Sequence, residues 1–578
     1  MVLRPLVLLA LAAACRVAPA QDPAPAPAIP DASAPIRERV VRFEADWGAL
    51  GRFHDAPLSP ARSARLGAFL AAERAELARV DPARLELEER LDLSLLVNRI
   101  DALAGRLELE DARRAEVLTL VPYASRVVAL CEARQRVEPV EPRAAADELD
   151  AIARAAQQAR TALEQAAEPP AGRALGFRAA RTLERLRREL DEWRAFRAGY
   201  DPLFDWWTAE PAKAALAALE AHGKALRKRV AQLADDDRDT ILGDPIGRAA
   251  LLAELGFERI AHTPEELVDM ARAELALCRA AFERAAVELG HGTDWRAALE
   301  AVKAQHVAPG EQPALVKDLA QEAVEFVTRH ELVSVPPLAV ETWRMRMLSP
   351  EAQKTSPFFL GGEVVQVSFP TGSMSHEDKL MSLRANNRAF SRAVVHHELI
   401  PGHHLQQFMT QRFAPHRRAF QTAFWTEGWA LWWEMLLWDQ GFARTPEERI
   451  GMLFWRSHRC ARIVFSLSFH LGTMSEAECV DFLVQEVGHE RRAAEAEVRR
   501  SFGGDYGPLY QAAYLTGGVQ FRALHRELVA SGRMGAREFH DAVLRGGNVP
   551  IEFVRARLTG AVPAPGAAPA WRFLDEPR

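Results

Sequence analysis

Cysteine is scarce in this chain. There are five in 578 residues (Cys15, Cys131, Cys278, Cys460 and Cys479), and no two stand close enough to form a paired thiolate motif. That spacing indicates neither a thiolate metal centre nor a disulfide framework, and it leaves the last four as buried free thiols. Charge of one sign is also lacking: 73 Lys and Arg stand against 79 Asp and Glu, for a net charge of −6. With no long basic run, nucleic acid is a poor match as a partner. No stretch beyond the first twenty residues is long and uncharged enough to span a bilayer. Two familiar catalytic signatures are missing as well. Gly372-Ser373 lacks the second glycine of a Gly-x-Ser-x-Gly elbow, and His-Glu-x-x-His does not occur uninterrupted.

Strand-type alternation and repeats of fixed period are rare, whereas Ala, Leu, Arg and Glu at three- and four-residue spacings recur throughout. The pattern predicts a mainly α protein. Its length exceeds what one compact core usually accommodates, so two lobes are expected. Residues 1–20 have the form of a signal peptide: Arg4, an apolar run from Pro5 to Ala14, then Ala18-Pro19-Ala20 before Gln21. The mature chain is therefore expected to be exported, periplasmic or extracellular. A lipid anchor at Cys15 is a second option, which Ala12 weakens because a larger apolar residue is usual there. Residues 21–35 form a Pro/Ala-rich linker. From 36 to 332 amphipathic helices build an N-terminal lobe, with segments predicted at 62–80, 83–105, 143–167, 174–197, 209–236 and 263–290. Thr263-Pro264-Glu265-Glu266 opens the last of these, and Asp201-Pro202 marks a break.

Residues 333–560 form the second lobe, and they begin differently. Phe358-Phe359-Leu360, Gly361-Gly362 and Val364 to Phe369 predict a short β hairpin or edge strand beside the helix that follows, which runs from Glu377 to His397. An edge strand in that place can bind an extended peptide by backbone pairing, and a purely structural strand is the competing account. Helices are further predicted from Glu447 to Leu471 and from Ser475 to about Val487. Residues 561–578 are expected to be a loosely packed C-terminal tail.

The chemistry is concentrated between Val394 and Glu434. His396-His397-Glu398-Leu399-Ile400-Pro401-Gly402-His403-His404 places four histidines and a glutamate within nine residues, and Glu427 and Glu434 follow among tryptophans. On a straight helix His403 would face the wrong side, and His404 would lie about 10.5 Å along the axis from His397, too far for metal bonds of about 2 Å. Pro401 makes a straight helix untenable, and Gly402 tolerates unusual dihedrals. A helical bulge that loops out two residues would bring His403 to the place of a second ligand. His403 is preferred to His404, which with His396 is left to a supporting or substrate-contacting role. A third ligand should be a carboxylate from another helix, and Glu427 fits. Glu434, seven residues on along the same face, could orient a ligand. The implied cofactor is Zn²⁺, with Glu398 as general base; a buried Trp-rich helix whose glutamates pair with arginines is the plainer alternative.

These residues, from His397-Glu398 through Pro401-Gly402-His403-His404-x-Gln406 to Glu427-Gly428-Trp429-Ala430, resemble the bacterial "domain of unknown function 885" proteins. The likeness extends from about Leu255 to about Leu558 and includes Tyr514-x-x-Gly517. Gly402-His403 is also similar to the motif ending of thimet oligopeptidase-like and carboxypeptidase Taq-like enzymes. The resemblance implies a two-lobed, helical, zincin-like fold and metallopeptidase activity on peptide substrates. It also selects Tyr514 as an oxyanion donor, and His470 and Arg462 as residues near the centre. Ser466 stands where relatives are expected to carry an acid, which puts any pairing of Arg462 with His470 in question. A zinc hydrolase of non-peptide amides or esters, and a catalytically silent helical envelope protein, are the alternative functions. Exo- versus endopeptidase action and oligomeric state are not written in the sequence.

Overall fold

Leu, Ala and Val recur on one face of each helical segment, so every helix can stabilise itself only by burying that stripe against another. The computed structural model describes residues 35–575 apart from 235, 238, 350–352, 354–360 and 505. The signal segment, Cys15, most of the linker and Phe358-Phe359-Leu360 lie outside that set. Among the described residues there are 22 α-helices and one two-stranded sheet, and no helix is long and apolar enough to cross a membrane.

The apolar stripes meet in two cores. The smaller gathers residues from Ala56 and from Val117 to Val230. The larger joins Ile36 to Leu107 with Leu251 to Phe573, so helices on both sides of position 332 share it. One 34-residue helix, Leu87–Leu120, belongs to both. Its first turns bury Leu91 to Leu107 in the larger core, and Val117 and Leu120 enter the smaller. At 1.5 Å per residue it is a strut about 50 Å long.

Local signals set most boundaries. Asp201 caps Pro202–Ala225 by accepting from the N–H groups of Leu203 and Phe204. Thr263 and Glu266 form a reciprocal capping box on Pro264–Glu288, and Ser475 and Glu478 do the same on Glu476–Val487.

Two expectations need correction, the approach helix and the tail. The approach helix expected from Glu377 to His397 is two helices, His376–Ala385 and Arg388–Glu398, because the Asn387 side chain accepts from the Phe390 N–H and starts a new one. The strands β1 (Arg344–Met347) and β2 (Val364–Val367) pair in parallel as a short edge pair, and Phe358-Phe359-Leu360, the other arm of the expected hairpin, lies outside the described residues. The tail is not loose up to Asp575: Trp571 and Phe573 are buried, and Glu552 accepts from the backbone N–H groups of Ala570 and Trp571. The four described cysteines are buried and free, as expected, and Cys278 and Cys460 meet thiol to thiol between Pro264–Glu288 and Pro446–His470.

Several histidines are sealed in these cores as neutral rings. Burial pulls His222, His489 and His525 down to about 4 and His540 to about 3. His540 accepts from the Trp432 indole at Nε2 and donates from Nδ1 to the Leu332 carbonyl, so a second proton has no place. Unfolded histidine binds its proton near pH 6.5. As pH falls from about 6.5 to 4 the unfolded chain therefore gains protons that the folded chain refuses, and stability is lost across that window. The urea midpoint is expected to fall steadily from pH 6.5 to 4; a midpoint unchanged over that range would contradict the buried, neutral assignment.

Candidate metal centre

Four helices build the site: Arg388–Glu398, His403–Thr410, Ala423–Asp439 and Tyr510–His525. The first two are not one bulged helix, as the sequence suggested. The first ends at Glu398, the chain turns through a cis Ile400–Pro401 bond, and the second starts at His403. Wide backbone bonds close the break, from Gly402 N–H to the His396 carbonyl (3.0 Å) and from His404 N–H to the Leu399 carbonyl (3.0 Å). A Cβ on Gly402 would lie 1.8 Å from the His397 carbonyl oxygen, so only glycine lets the chain turn this tightly. The Trp429 indole clamps the turn by donating to the Pro401 carbonyl at 2.9 Å.

The consequence is that His397 and His403 meet edge to face, with ring centroids 4.8 Å apart. Each imidazole is held from behind. His397 Nδ1 donates to Glu434 Oε1 at 2.7 Å, and His403 Nδ1 donates to Gln406 Oε1 at 3.1 Å, while the Gln406 amide donates to the Thr426 carbonyl. Both rings thus present Nε2 forward, and both face Glu427 Oε2, at 3.6 and 3.3 Å. The three ligand atoms lie within 4.8 Å of one another. Two donors each about 2.0–2.1 Å from a tetrahedral centre stand about 3.3 Å apart, so the spacing suits a zinc ion.

Glu427 supplies a second indication. Its Oε1 accepts from the Tyr510 hydroxyl at 2.6 Å. Its Oε2 is buried without any hydrogen-bond donor, an arrangement that costs several kcal/mol unless a cation faces it. The helices can approach so closely because Gly428 packs on Gly517, where a Cβ would come within 2.5 Å of backbone. Titration follows this charge arrangement. Burial alone would push Glu427 up, but His403 and His397 hold it well below the usual carboxylate range. Burial alone would pull His403 down, yet Glu427 and Glu398 raise it to about 9. His397 moves upward in the same way, with Glu427 and Glu434 outweighing burial.

Glu398 lies beside the cluster, its carboxylate 4.0 Å from His403 Nε2. Burial raises its pKa, and the two imidazoles only partly offset this. The chain just before β2 touches it, since Gly362 N–H donates to the Glu398 carbonyl. Tyr514 is stacked on His397 at 6.2 Å, with Arg462 and Arg459 over its ring at 4.7 and 5.2 Å.

The other candidates are placed apart. His404 Nε2 bonds the Ala339 carbonyl, and His396 Nδ1 bonds the Arg392 carbonyl with its ring against Phe442, so neither joins the cluster. Arg462 is tied to Glu497 at 2.7 Å rather than to any acid near position 466. His470 does not reach the centre. It lies eight residues beyond Arg462 on Pro446–His470, about 12 Å along the axis, among Phe469 and Phe502 and facing Arg113 and Asp244. Three site residues went unselected in the sequence. Tyr510 is four before Tyr514 and Gln406 three after His403, helical spacings that could have found both. Arg459, 3.5 Å from Glu434, had only its spacing from Arg462.

A family model described as "Bacterial protein of unknown function (DUF885)" matches residues 44–558. No curated protein matches the chain. Among solved structures, a "putative lipoprotein of unknown function" from Shewanella oneidensis is similar at 17% identity and TM-score 0.66, covering 91% of this chain and 100% of that one. A "putative lipoprotein" from Colwellia psychrerythraea is similar at 16% identity and TM-score 0.57, covering 91% and 99%. At such identities these likenesses speak for the fold.

Because the turn at Gly402 sets the meeting of the two imidazoles, Gly402→Ala should act on the site before anything else. The added methyl is expected to destabilise the chain by roughly 3 kcal/mol in chemical denaturation and to lift the His403 ring away from Glu427. A variant of wild-type stability would show that the turn relaxes freely.

Proposed function

The chain belongs to the DUF885 family of bacterial proteins of unknown function, and we propose that it is an exported, zinc-dependent hydrolase of peptide bonds. The observation that carries this reading is the convergence of His397 Nε2, His403 Nε2 and the donorless Glu427 Oε2 beside a fourth buried side chain, Glu398. A purely structural zinc site closes with four protein ligands, whereas three ligands plus an acid fit a hydrolytic one. Structural neighbours named putative lipoproteins support export.

Bound at these three ligands, zinc would supply Lewis acidity and bring a water's pKa to about 7. Glu398 takes the proton of the attacking water and returns it to the leaving amine, a role suited to a carboxylate whose pKa burial has raised. Glu434 and Gln406 fix both imidazoles with the Nε2 lone pair forward. The Tyr514 hydroxyl would donate to the oxygen on which charge develops, and burial with Glu427 keeps it protonated at neutral pH.

Purified protein is expected to hold about one zinc per chain. Glu398→Gln should retain the metal and lose peptide hydrolysis by several orders of magnitude, measured on a peptide library alongside amino-acid amides and esters. Active protein free of metal would overturn the proposal, and turnover of the amides or esters alone would redirect it to non-peptide substrates. A second outcome follows from His403, which binds a proton up to about pH 9 when no metal is there. Zinc must displace that proton, so its apparent Kd in chelator competition should fall about tenfold per pH unit between pH 7 and 9. A Kd independent of pH there would mean that His403 carries no proton for the metal to displace above pH 7.

A further inference from the structure

One contact between two long helices has no part in the metal centre. Cys278 on Pro264–Glu288 and Cys460 on Pro446–His470 are far apart in the chain, yet the Cys460 thiol donates to the Cys278 sulfur. A second cross-pair holds the same two faces together. Glu274, one turn before Cys278, is ion-paired with Arg456, one turn before Cys460, and with Arg522 at 3.7 Å. Contacts a turn apart on each helix thus keep the sulfurs opposite each other. Both cysteines are sealed, at 2% and 0% exposure.

The surroundings set this pair apart from the other thiols. Cys131 lies in the smaller core and Cys479 donates to the Phe465 carbonyl at 3.6 Å, and burial pushes both up to about 12. Cys278 moves the other way: the hydrogen bond from Cys460, with Arg456 assisting, holds it below the ordinary thiol range against burial. Thiolate is the species that attacks sulfur, so this pair is the reactive one. A thiolate metal site is excluded by what is missing. Among the described residues the only group of three or more metal-ligating side chains is His397, His403 and Glu427, so the two sulfurs lack the further ligands that such a site needs.

Exported chains fold in an oxidising compartment, where neighbouring thiols are joined. We propose that Cys278 and Cys460 form a disulfide in the mature exported protein, made before the two helices close over them, while Cys131 and Cys479 remain thiols. This rests on the proposed export and not on the proposed hydrolysis. The step is thiol–disulfide exchange with the disulfide of a dithiol oxidoreductase. One cysteine of the pair is first held in a mixed disulfide, the other attacks it as thiolate, and the new S–S bond forms as the oxidoreductase sulfur leaves with the electron pair. Both electrons and both protons of the two thiols end on the oxidoreductase, whose disulfide becomes a dithiol. The bond closes a loop of roughly 180 residues. It also fixes Pro446–His470, which carries Arg459 and Arg462 to Tyr514, against Pro264–Glu288.

The test uses the mature chain carried to a bacterial periplasm by a foreign signal peptide, then alkylated in denaturant without reductant and digested. Mass spectrometry should find Cys278 and Cys460 in one disulfide-linked peptide pair, with Cys131 and Cys479 alkylated. The same chain made in a reducing cytosol differs only in that bond, and its thermal midpoint should be lower by about 3 °C or more. Alkylation of all four cysteines in the periplasmic protein, a link that includes Cys131 or Cys479, or equal midpoints would overturn the proposal. A failure of the chain's own first twenty residues to direct export would count against the export reading alone, because the linkage is read on protein delivered by the foreign signal.

Discussion

The site depends on one carboxylate oxygen that has no donor. Glu427 sits in a helix buried on nearly every side, with Trp425, Trp429, Trp432 and Trp433 around it, where an unpaired anion is costly. Tyr510 satisfies Oε1 alone. Glu434 and Gln406 take up the Nδ1 hydrogens of the two histidines, so the faces turned toward Oε2 are Nε2 atoms, each of which can carry a proton or bind a metal. The pocket therefore holds positive charge in either state. Without metal it keeps a proton, which is why His403 rises to about 9.

The same bookkeeping of hydrogens separates the two tyrosines. A phenol has one proton to give. That of Tyr510 is committed to Glu427, while Tyr514 bonds to Tyr510 and keeps its ring between His397 and two guanidiniums. Only Tyr514 can turn its hydrogen to a new acceptor without leaving Glu427 bare. Arg459 and Arg462 are themselves neutralised by Glu434 and Glu497. Behind His397, His403 and Glu427 lies a nearly closed set of charges, which fixes orientation more than it adds stability.

Much of this was legible in the sequence because periodicity and capping act locally. Thr263 announced its helix, whereas Asp201-Pro202 read only as a break although it caps Pro202–Ala225, and seven-residue spacing placed Glu427 and Glu434 on one face. The histidine break was legible in its residues and not in its form, since proline and glycine report only that a straight helix fails. Whether the chain bulges or stops depends on what clamps the turn, and the Trp429 indole that does so is nearly thirty residues away. Distances along a long helix were the hardest to foresee. Pro446–His470 acts as a ruler crossing the whole molecule: Arg456 meets Glu274, Arg459 and Arg462 reach Tyr514, and His470 ends among residues of the other lobe. A histidine on a buried face is compatible with any of those neighbourhoods, and only the axial offset of about 1.5 Å per residue decides which one it enters. Tyr510 shows the converse, because one helical turn from a chosen residue is close enough to share its chemistry.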